Sequence, residues 1–198
     1  MSEPLVIIGS TGANLASLGF ALERLGVTAP VSEDPATIRS AEKLILPGVG
    51  AAADAMQRLR RAGLDAVIPS LTQPLLGICL GMQLLFEESE EDAAECLGVM
   101  PGRVVRFSAE HDLPIPEMGW NELEQFALSP LFRGLDRGAY AYFVHSYFAP
   151  VSEYTIAEAN YGERFSAAVC RDNFYGTQFH PERSSNVGAL VLRNFLEL

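Results

Sequence analysis

The pentapeptide Gly77-Ile78-Cys79-Leu80-Gly81 places a thiol between two small residues, directly after the apolar run Leu75–Ile78 and ahead of Met82-Gln83-Leu84-Leu85. This is the G-x-nucleophile-x-G form of an elbow in which a strand turns sharply into a helix and holds the central side chain exposed in strained geometry. Glycine is needed on both sides because a Cβ at 77 or 81 would run into neighbouring backbone. A thiol there sits at a helix N-terminus, whose partial positive charge favours the thiolate. The backbone N–H of Leu80 is then placed to donate to an oxyanion. Taken by itself, the motif also fits a buried structural cysteine between two packing glycines.

Phe179-His180-Pro181-Glu182 supplies what such a nucleophile lacks. A cysteine nucleophile needs a base to take its proton and hand it to the leaving amine, and the base needs a carboxylate to fix its tautomer. His180 and Glu182 are two apart at the end of a β-rich run and so share one side of the chain, with Pro181 stiffening the link. The tripeptide alone also fits a surface turn. His111, between Glu110 and Asp112, reads as a solvated loop residue. A metal site drawn from Cys79, His145, His180 and Glu182 lacks the close ligand pairs usual for zinc. No metal or other cofactor is expected.

The surrounding pattern must position these groups. Leu5–Ile8 reads as a strand, followed by a helix with apolar positions Leu15, Leu18, Leu22 and Leu25 that Gly26 ends. Lys43–Leu46 is a second strand, with a tight turn at Pro47-Gly48-Val49-Gly50 and a helix through Met56 and Leu59 to near Gly63. Leu75–Ile78 is a third, turning at Cys79-Leu80-Gly81 into a helix that begins near Met82. This alternation predicts an α/β fold with a mostly parallel central sheet flanked by helices. The second half differs: Arg103–Phe107, Tyr140–His145, Thr155–Ala159, Phe165–Val169 and Phe174–Gln178 are β-rich runs without helical patterns between them, which predicts antiparallel strands. Val187–Leu198 reads as a closing amphipathic helix started by Ser184-Ser185-Asn186.

A chain of 198 residues has room for one well-buried domain and not two ordinary ones, so 1–198 is read as a single unit. A net charge of −11 repels phosphate backbones and anionic lipid headgroups. Nucleic acid and membrane are therefore not expected partners, and a small neutral or zwitterionic substrate fits better. The N-terminus has no basic region of a signal peptide, and the uncharged stretch Val67–Phe86 contains Pro69, Pro74 and Gln83, which a spanning helix would avoid. Three widely spaced cysteines, Cys79, Cys96 and Cys170, form no disulfide framework. A cytoplasmic protein is expected.

Pro74-Leu75-Leu76-Gly77-Ile78-Cys79-Leu80-Gly81-Met82-Gln83-Leu84-Leu85-Phe86, with the distant Gln178-Phe179-His180-Pro181-Glu182, resembles the class I (triad) glutamine amidotransferases. Leu46–Gly50, Met118-Gly119-Trp120-Asn121, Tyr142–Tyr147 and Asn173–Gln178 narrow the resemblance to the glutaminase subunits of imidazole glycerol phosphate synthases, over essentially the whole chain. The resemblance implies a triad in which Cys79 is the nucleophile, His180 the general base and acid, and Glu182 its orienter. It implies an oxyanion hole from Leu80 with Val49 and Gly50, and glutamine-holding positions at Gly48, Gly81, Gln83, His145, Ser146 and Tyr147. It places Asn14, Trp120, Asn121 and Arg183 against a (β/α)8-barrel cyclase, in a heterodimer. Ammonia passed to that cyclase would yield imidazole glycerol phosphate and an aminoimidazole carboxamide ribonucleotide in histidine biosynthesis.

Two departures stand out. Glu117 occupies a position where the family pattern has His, and is expected to add peripheral negative charge near the partner face. Gly9-Ser10-Thr11-Gly12-Ala13-Asn14 keeps the asparagine but not the usual glycine placement. The glycines flanking Val49 also suggest a peptide plane that rotates, so that hydrolysis is switched on by the partner. The alternatives are the glutaminase of another amidotransferase, a cysteine hydrolase with the same elbow, or a non-catalytic regulatory subunit, which would be expected to lose a triad member.

Overall fold

The computed structural model describes residues 4–9, 15–126 and 128–198. Its strands are β1 (Val6–Ile8), β2 (Val31–Ser32), β3 (Leu44–Gly48), β4 (Leu75–Cys79), β5 (Phe86–Ser89), β6 (Ala94–Glu95) and β7 (Met100–Arg106). There follow β8 (Glu117–Glu122), β9 (Gln125–Phe126), β10 (Tyr140–His145), β11 (Tyr147–Phe148), β12 (Thr155–Tyr161), β13 (Glu163–Arg171) and β14 (Phe174–Thr177). The helices are α1 (Leu15–Arg24), α2 (Pro35–Ser40), α3 (Ala52–Arg61), α4 (Leu64–Val67), α5 (Leu80–Gln83) and α6 (Ser185–Leu196).

The main sheet has the order β2-β1-β3-β4-β14-β13-β12-β9. From β2 to β14 every neighbour is parallel, and from β14 to β9 every neighbour is antiparallel. The central strands β3 and β4 are buried along their whole length, as parallel strands covered on both faces must be. Alternate residues feed opposite cores. Leu44, Leu46 and Leu75 pack with Met56 and Leu59 of α3 and with Phe86 and Met100 of the smaller sheet β11-β7-β5-β6. Ile45, Leu76 and Ile78 pack on the other face with Leu18 and Leu22 of α1, Val191 and Phe195 of α6, and Phe143 of the β8–β10 ribbon.

The α/β architecture is the expected one, with differences in its elements that include the following. The sequence pattern puts Phe174–Gln178 among the antiparallel strands, but β14 is parallel to β4 and antiparallel only to β13. Burial decides this: Phe174, Gly176 and Thr177 find an apolar slot beside β4 that a peripheral strand would not offer. The elbow helix begins at Leu80 rather than Met82 and lasts one turn, after which Leu84, Leu85 and Phe86 run fully buried into β5. A short continuous apolar run fits a buried strand as well as a helix, so periodicity does not separate the two. Strand β8, over a Gly-containing polar segment, has no counterpart in the sequence pattern.

Registers then converge on one edge. Gly48 pairs with Cys79, and Thr177 with Ile78. The carboxyl ends of β3, β4 and β14 thus bring the Pro47–Gly50 turn, the thiol, and the segment leading to His180 side by side, at the edge where open α/β sheets hold ligands.

Candidate active site

Cys79 closes β4 and opens α5 with φ 52° and ψ −111°, a conformation that strains any residue with a Cβ. Its surroundings impose it. A Cβ on Gly77 would lie 2.7 Å from the Gly81 oxygen, one on Gly81 would lie 1.8 Å from the Leu46 oxygen, and one on Gly48 would lie 2.8 Å from the Gly81 nitrogen. Three glycines therefore interlock the end of β3 with the elbow, and the collisions expected at 77 and 81 are borne out. With a helix of one turn behind the thiol, the helix-dipole contribution is smaller than a full helix would give.

His180 follows β14. The His180 amide donates to the Tyr142 carbonyl at 2.9 Å, the Tyr142 amide donates to the Ser184 hydroxyl at 2.9 Å, and that hydroxyl donates back to the His180 carbonyl at 2.7 Å. The turn Pro181–Arg183 is thereby stitched to β10. His180 Nδ1 stands 2.8 Å from Glu182 Oε1, with both side chains nearly buried. Burial alone would lower the His180 pKa, but the Cys79 sulfur and the Glu182 carboxylate together outweigh it and hold the imidazole up at about 10. Nε2 is buried and makes no aligned hydrogen bond of its own. The Cys79 sulfur is the leading influence favouring the charged ring.

A cavity of about 390 Å³ opens on this pair. It is lined by Cys79, His180 and Glu182, by Gly48, Val49, Gly50 and Leu80, and by Gln83, His145, Ser146 and Tyr147. Gly81 does not line it; its place is the close contact with Leu46. Gly48 is pinned in β3 against the elbow, whereas Gly50 has φ +94° and open space around it. Any rotation at this turn is thus confined to the Val49–Gly50 side, not to both sides of Val49.

Two lining or supporting residues escape the sequence reading. Gln178, fully buried, donates to Cys79 Sγ at 3.7 Å and accepts from Gln83 Nε2 at 2.9 Å. Its position two before His180 is a usable signal. Glu91 lines the cavity and accepts from the Ala52 amide at 2.9 Å. Burial raises its carboxyl pKa, opposed by that amide. Nothing in the acidic run 87–92 distinguishes it from its solvated neighbours.

Glu117 is not a peripheral surface charge. It lies directly across from His145 in the β8–β10 ribbon, and the two side chains are 3% and 2% exposed. Packing turns it inward because residue 117 alternates with the outward Met118 and shares its face with Gly119 and Asn121. On the outer face Trp120 is 52% exposed, its ring edge-on to Tyr142, over which the Arg183 guanidinium sits at 5.1 Å. Asn121 turns its amide inward, to Glu117 at 2.8 Å and the Asn160 carbonyl at 2.9 Å. Asn14 lies outside the described residues.

A sequence model of the family "Glutamine amidotransferase class-I" matches residues 10–198. The chain belongs to this family. Among relatives, the amidotransferase is 50% identical over 205 residues, covering all of both chains, to a protein of Vibrio vulnificus named imidazole glycerol phosphate synthase subunit HisH 1. It is 52% identical over 195 residues to the corresponding HisH of Pectobacterium atrosepticum, covering 98% of this chain and 99% of that one. Among solved structures it resembles a glutamine amidotransferase with a TM-score of 0.75 at 21% identity, covering 98% and 97% of the two chains. A glutamine amidotransferase of Thermotoga maritima gives 0.67 at 18% identity, covering 100% and 82%. These two likenesses concern the fold. Among the described residues no helix is long and apolar enough to cross a membrane.

Proposed function

We propose that this chain, as one domain, is the glutaminase subunit of an imidazole glycerol phosphate synthase, hydrolysing glutamine to glutamate and ammonia. The observation that carries the chemistry is Cys79, His180 and Glu182 meeting at one cavity beside the Pro47–Gly50 turn. The Cys79 sulfur attacks the side-chain amide carbon, and the oxyanion that forms is held by the Leu80 N–H with a second donor from the Val49–Gly50 peptide. His180, kept protonated and oriented by Glu182, delivers its proton to the departing nitrogen, and ammonia leaves a γ-glutamyl thioester. His180 then takes a proton from water, which attacks the thioester and frees glutamate. Glu91 offers an acceptor to the substrate α-ammonium, while Gln83 is held in place by the Tyr147 carbonyl at 2.7 Å.

The ammonia passes to a (β/α)8-barrel cyclase bound as a heterodimer partner, serving histidine biosynthesis. Trp120 and Arg183 contribute to the docking face, Asn121 braces β8 from beneath, and the family resemblance assigns Asn14 to the same face. Full-length identity near 50% to HisH subunits supports this choice over other amidotransferases. Free thiols at all three cysteines suit a cytoplasmic setting. The test is ammonia release from glutamine by the chain alone and with the cyclase and its ribonucleotide. Turnover that rises with the partner and vanishes in Cys79→Ala supports the reading, and no turnover in any condition refutes it.

A further inference from the structure

The Glu117–His145 contact belongs to no step of the hydrolysis, yet His145 itself lines the cavity and Glu117 directly follows the lining residue Pro116. His145 Nδ1 is 2.8 Å from the Tyr147 carbonyl, which only accepts, so Nδ1 carries a hydrogen. Nε2 is 2.9 Å from Glu117 Oε2, within ion-pair distance though not aligned as a hydrogen bond. The ring of His145 is enclosed by Phe107 and Phe165, each with centroids 5.2 Å away, and by Phe143 at 5.7 Å. Glu117 Oε1 is held in turn by the Asn121 amide.

The contact reaches the nucleophile through a chain of polar groups. Tyr147 O, which receives the His145 hydrogen, also receives Gln83 Nε2 at 2.7 Å. Gln83 bonds to Gln178, whose amide meets Cys79 Sγ. The Ser146 carbonyl is fixed separately by the Phe107 amide at 3.1 Å. If the imidazole lost its partner at Nε2, it would rotate to seek another, and the Tyr147 carbonyl would lose one of its two donors.

We propose that Glu117 is a positioning residue: by holding the His145 ring onto the Tyr147 carbonyl, it fixes the 145–147 wall against Gln83 and so sets the affinity for glutamine. The proposal rests on the glutaminase reading of the site. It predicts a larger effect on substrate binding than on the thiol, because the path to Cys79 Sγ runs on through Gln83 and Gln178, while His180 and Glu182 are held by a different set of bonds, from Tyr142 and Ser184. It also predicts that the geometry matters more than the charge. Glutamine at 117 can still accept from Asn121 and donate to Nε2 of a neutral His145, whereas leucine can do neither.

The experiment compares Glu117→Leu, Glu117→Gln and the unchanged chain, each with its cyclase partner, by glutamine kinetics, Cys79 alkylation with iodoacetamide, and thermal unfolding. In Glu117→Leu the KM for glutamine should rise about tenfold, the scale of losing one buried hydrogen bond, with kcat reduced less than about threefold and alkylation close to that of the unchanged chain. Glu117→Gln should recover most of the affinity. Should Glu117→Leu fail to fold, Glu117→Leu with His145→Phe leaves no unpaired buried charge and should show the same raised KM. An unchanged KM in the leucine or the double variant overturns the proposal. So does equal impairment in the leucine and glutamine variants, or a fall in kcat and alkylation that tracks lost stability. If the unchanged chain releases no ammonia at all, the glutaminase reading fails and this proposal fails with it.

Discussion

A Cβ on Gly81 would stand 1.8 Å from the carbonyl oxygen of Leu46, so the elbow and the neighbouring strand approach as closely as backbones allow. Backbone cannot swing aside as a side chain can. Gly81→Ala should force β3 from the elbow, destabilising the fold by about 1–3 kcal/mol or more, the range for overpacking, and reducing turnover even where the protein folds. Gly50→Ala meets no atom but keeps φ +94°, so it should carry backbone strain alone, about 1–3 kcal/mol. Urea unfolding of the two variants, with ammonia release at matched folded fraction, separates clash from strain. Full activity in folded Gly81→Ala would show that the contact is dispensable.

Cys79 sits at φ 52°, and its removal has two separable consequences. Cys79→Ala and Cys79→Gly should both abolish glutamine hydrolysis while the complex still uses added ammonium salts. Only glycine relieves the positive φ, so Cys79→Gly should be more stable than Cys79→Ala by about 1 kcal/mol. Urea midpoints give the comparison. An alanine variant as stable as the glycine variant would mean that the elbow relaxes without its thiol.

Glu182→Gln keeps contact with the imidazole but no longer stabilises its charged form. It should lower kcat/KM less than His180→Ala does, bounded by the roughly 10⁴-fold cost of losing a triad orienter in a serine protease. Wild-type activity in Glu182→Gln would make the carboxylate structural.

The same triad makes stability depend on pH. His180 is raised in the folded chain from an ordinary 6.5 to about 10, so the charged ring binds its proton more tightly when folded. Its stabilisation is complete below about 6.5 and is lost as pH rises through about 10. The stability difference between the unchanged chain and His180→Ala should therefore shrink across that interval in unfolding experiments at successive pH. A difference that grows with pH would contradict the assignment.

Trp120, half exposed beside Tyr142 and Arg183, would offer a rigid apolar anchor to the proposed cyclase partner. Trp120→Ala should weaken association by about 2 kcal/mol or more, as hot-spot aromatics do, and leave the chain's own unfolding profile nearly unchanged. Calorimetric titration with the cyclase measures it, and unaltered affinity would move the docking face elsewhere.

The elbow around Cys79 and the His180–Glu182 pair were legible in the sequence because each is a local device: residues one or two apart dictate the turn, the glycines and the shared side of the chain. The alternation of strands and helices in the first half was legible for the same reason, since burial on both faces leaves a periodic trace. What the sequence could not decide was which distant segments lie side by side. The place of β14 beside β4, which carries His180 to Cys79, depends on the summed burial of many residues rather than on its own pattern. The carboxylates make the point most directly. Glu182 declares itself by its spacing from His180, but Glu91 and Glu117 look like solvated charges in chain order and are withdrawn from water by partners 39 residues away, at Ala52, and across a strand pair, at His145. A carboxylate's role follows from what desolvates and pairs it, and that is set by the register of strands meeting in three dimensions.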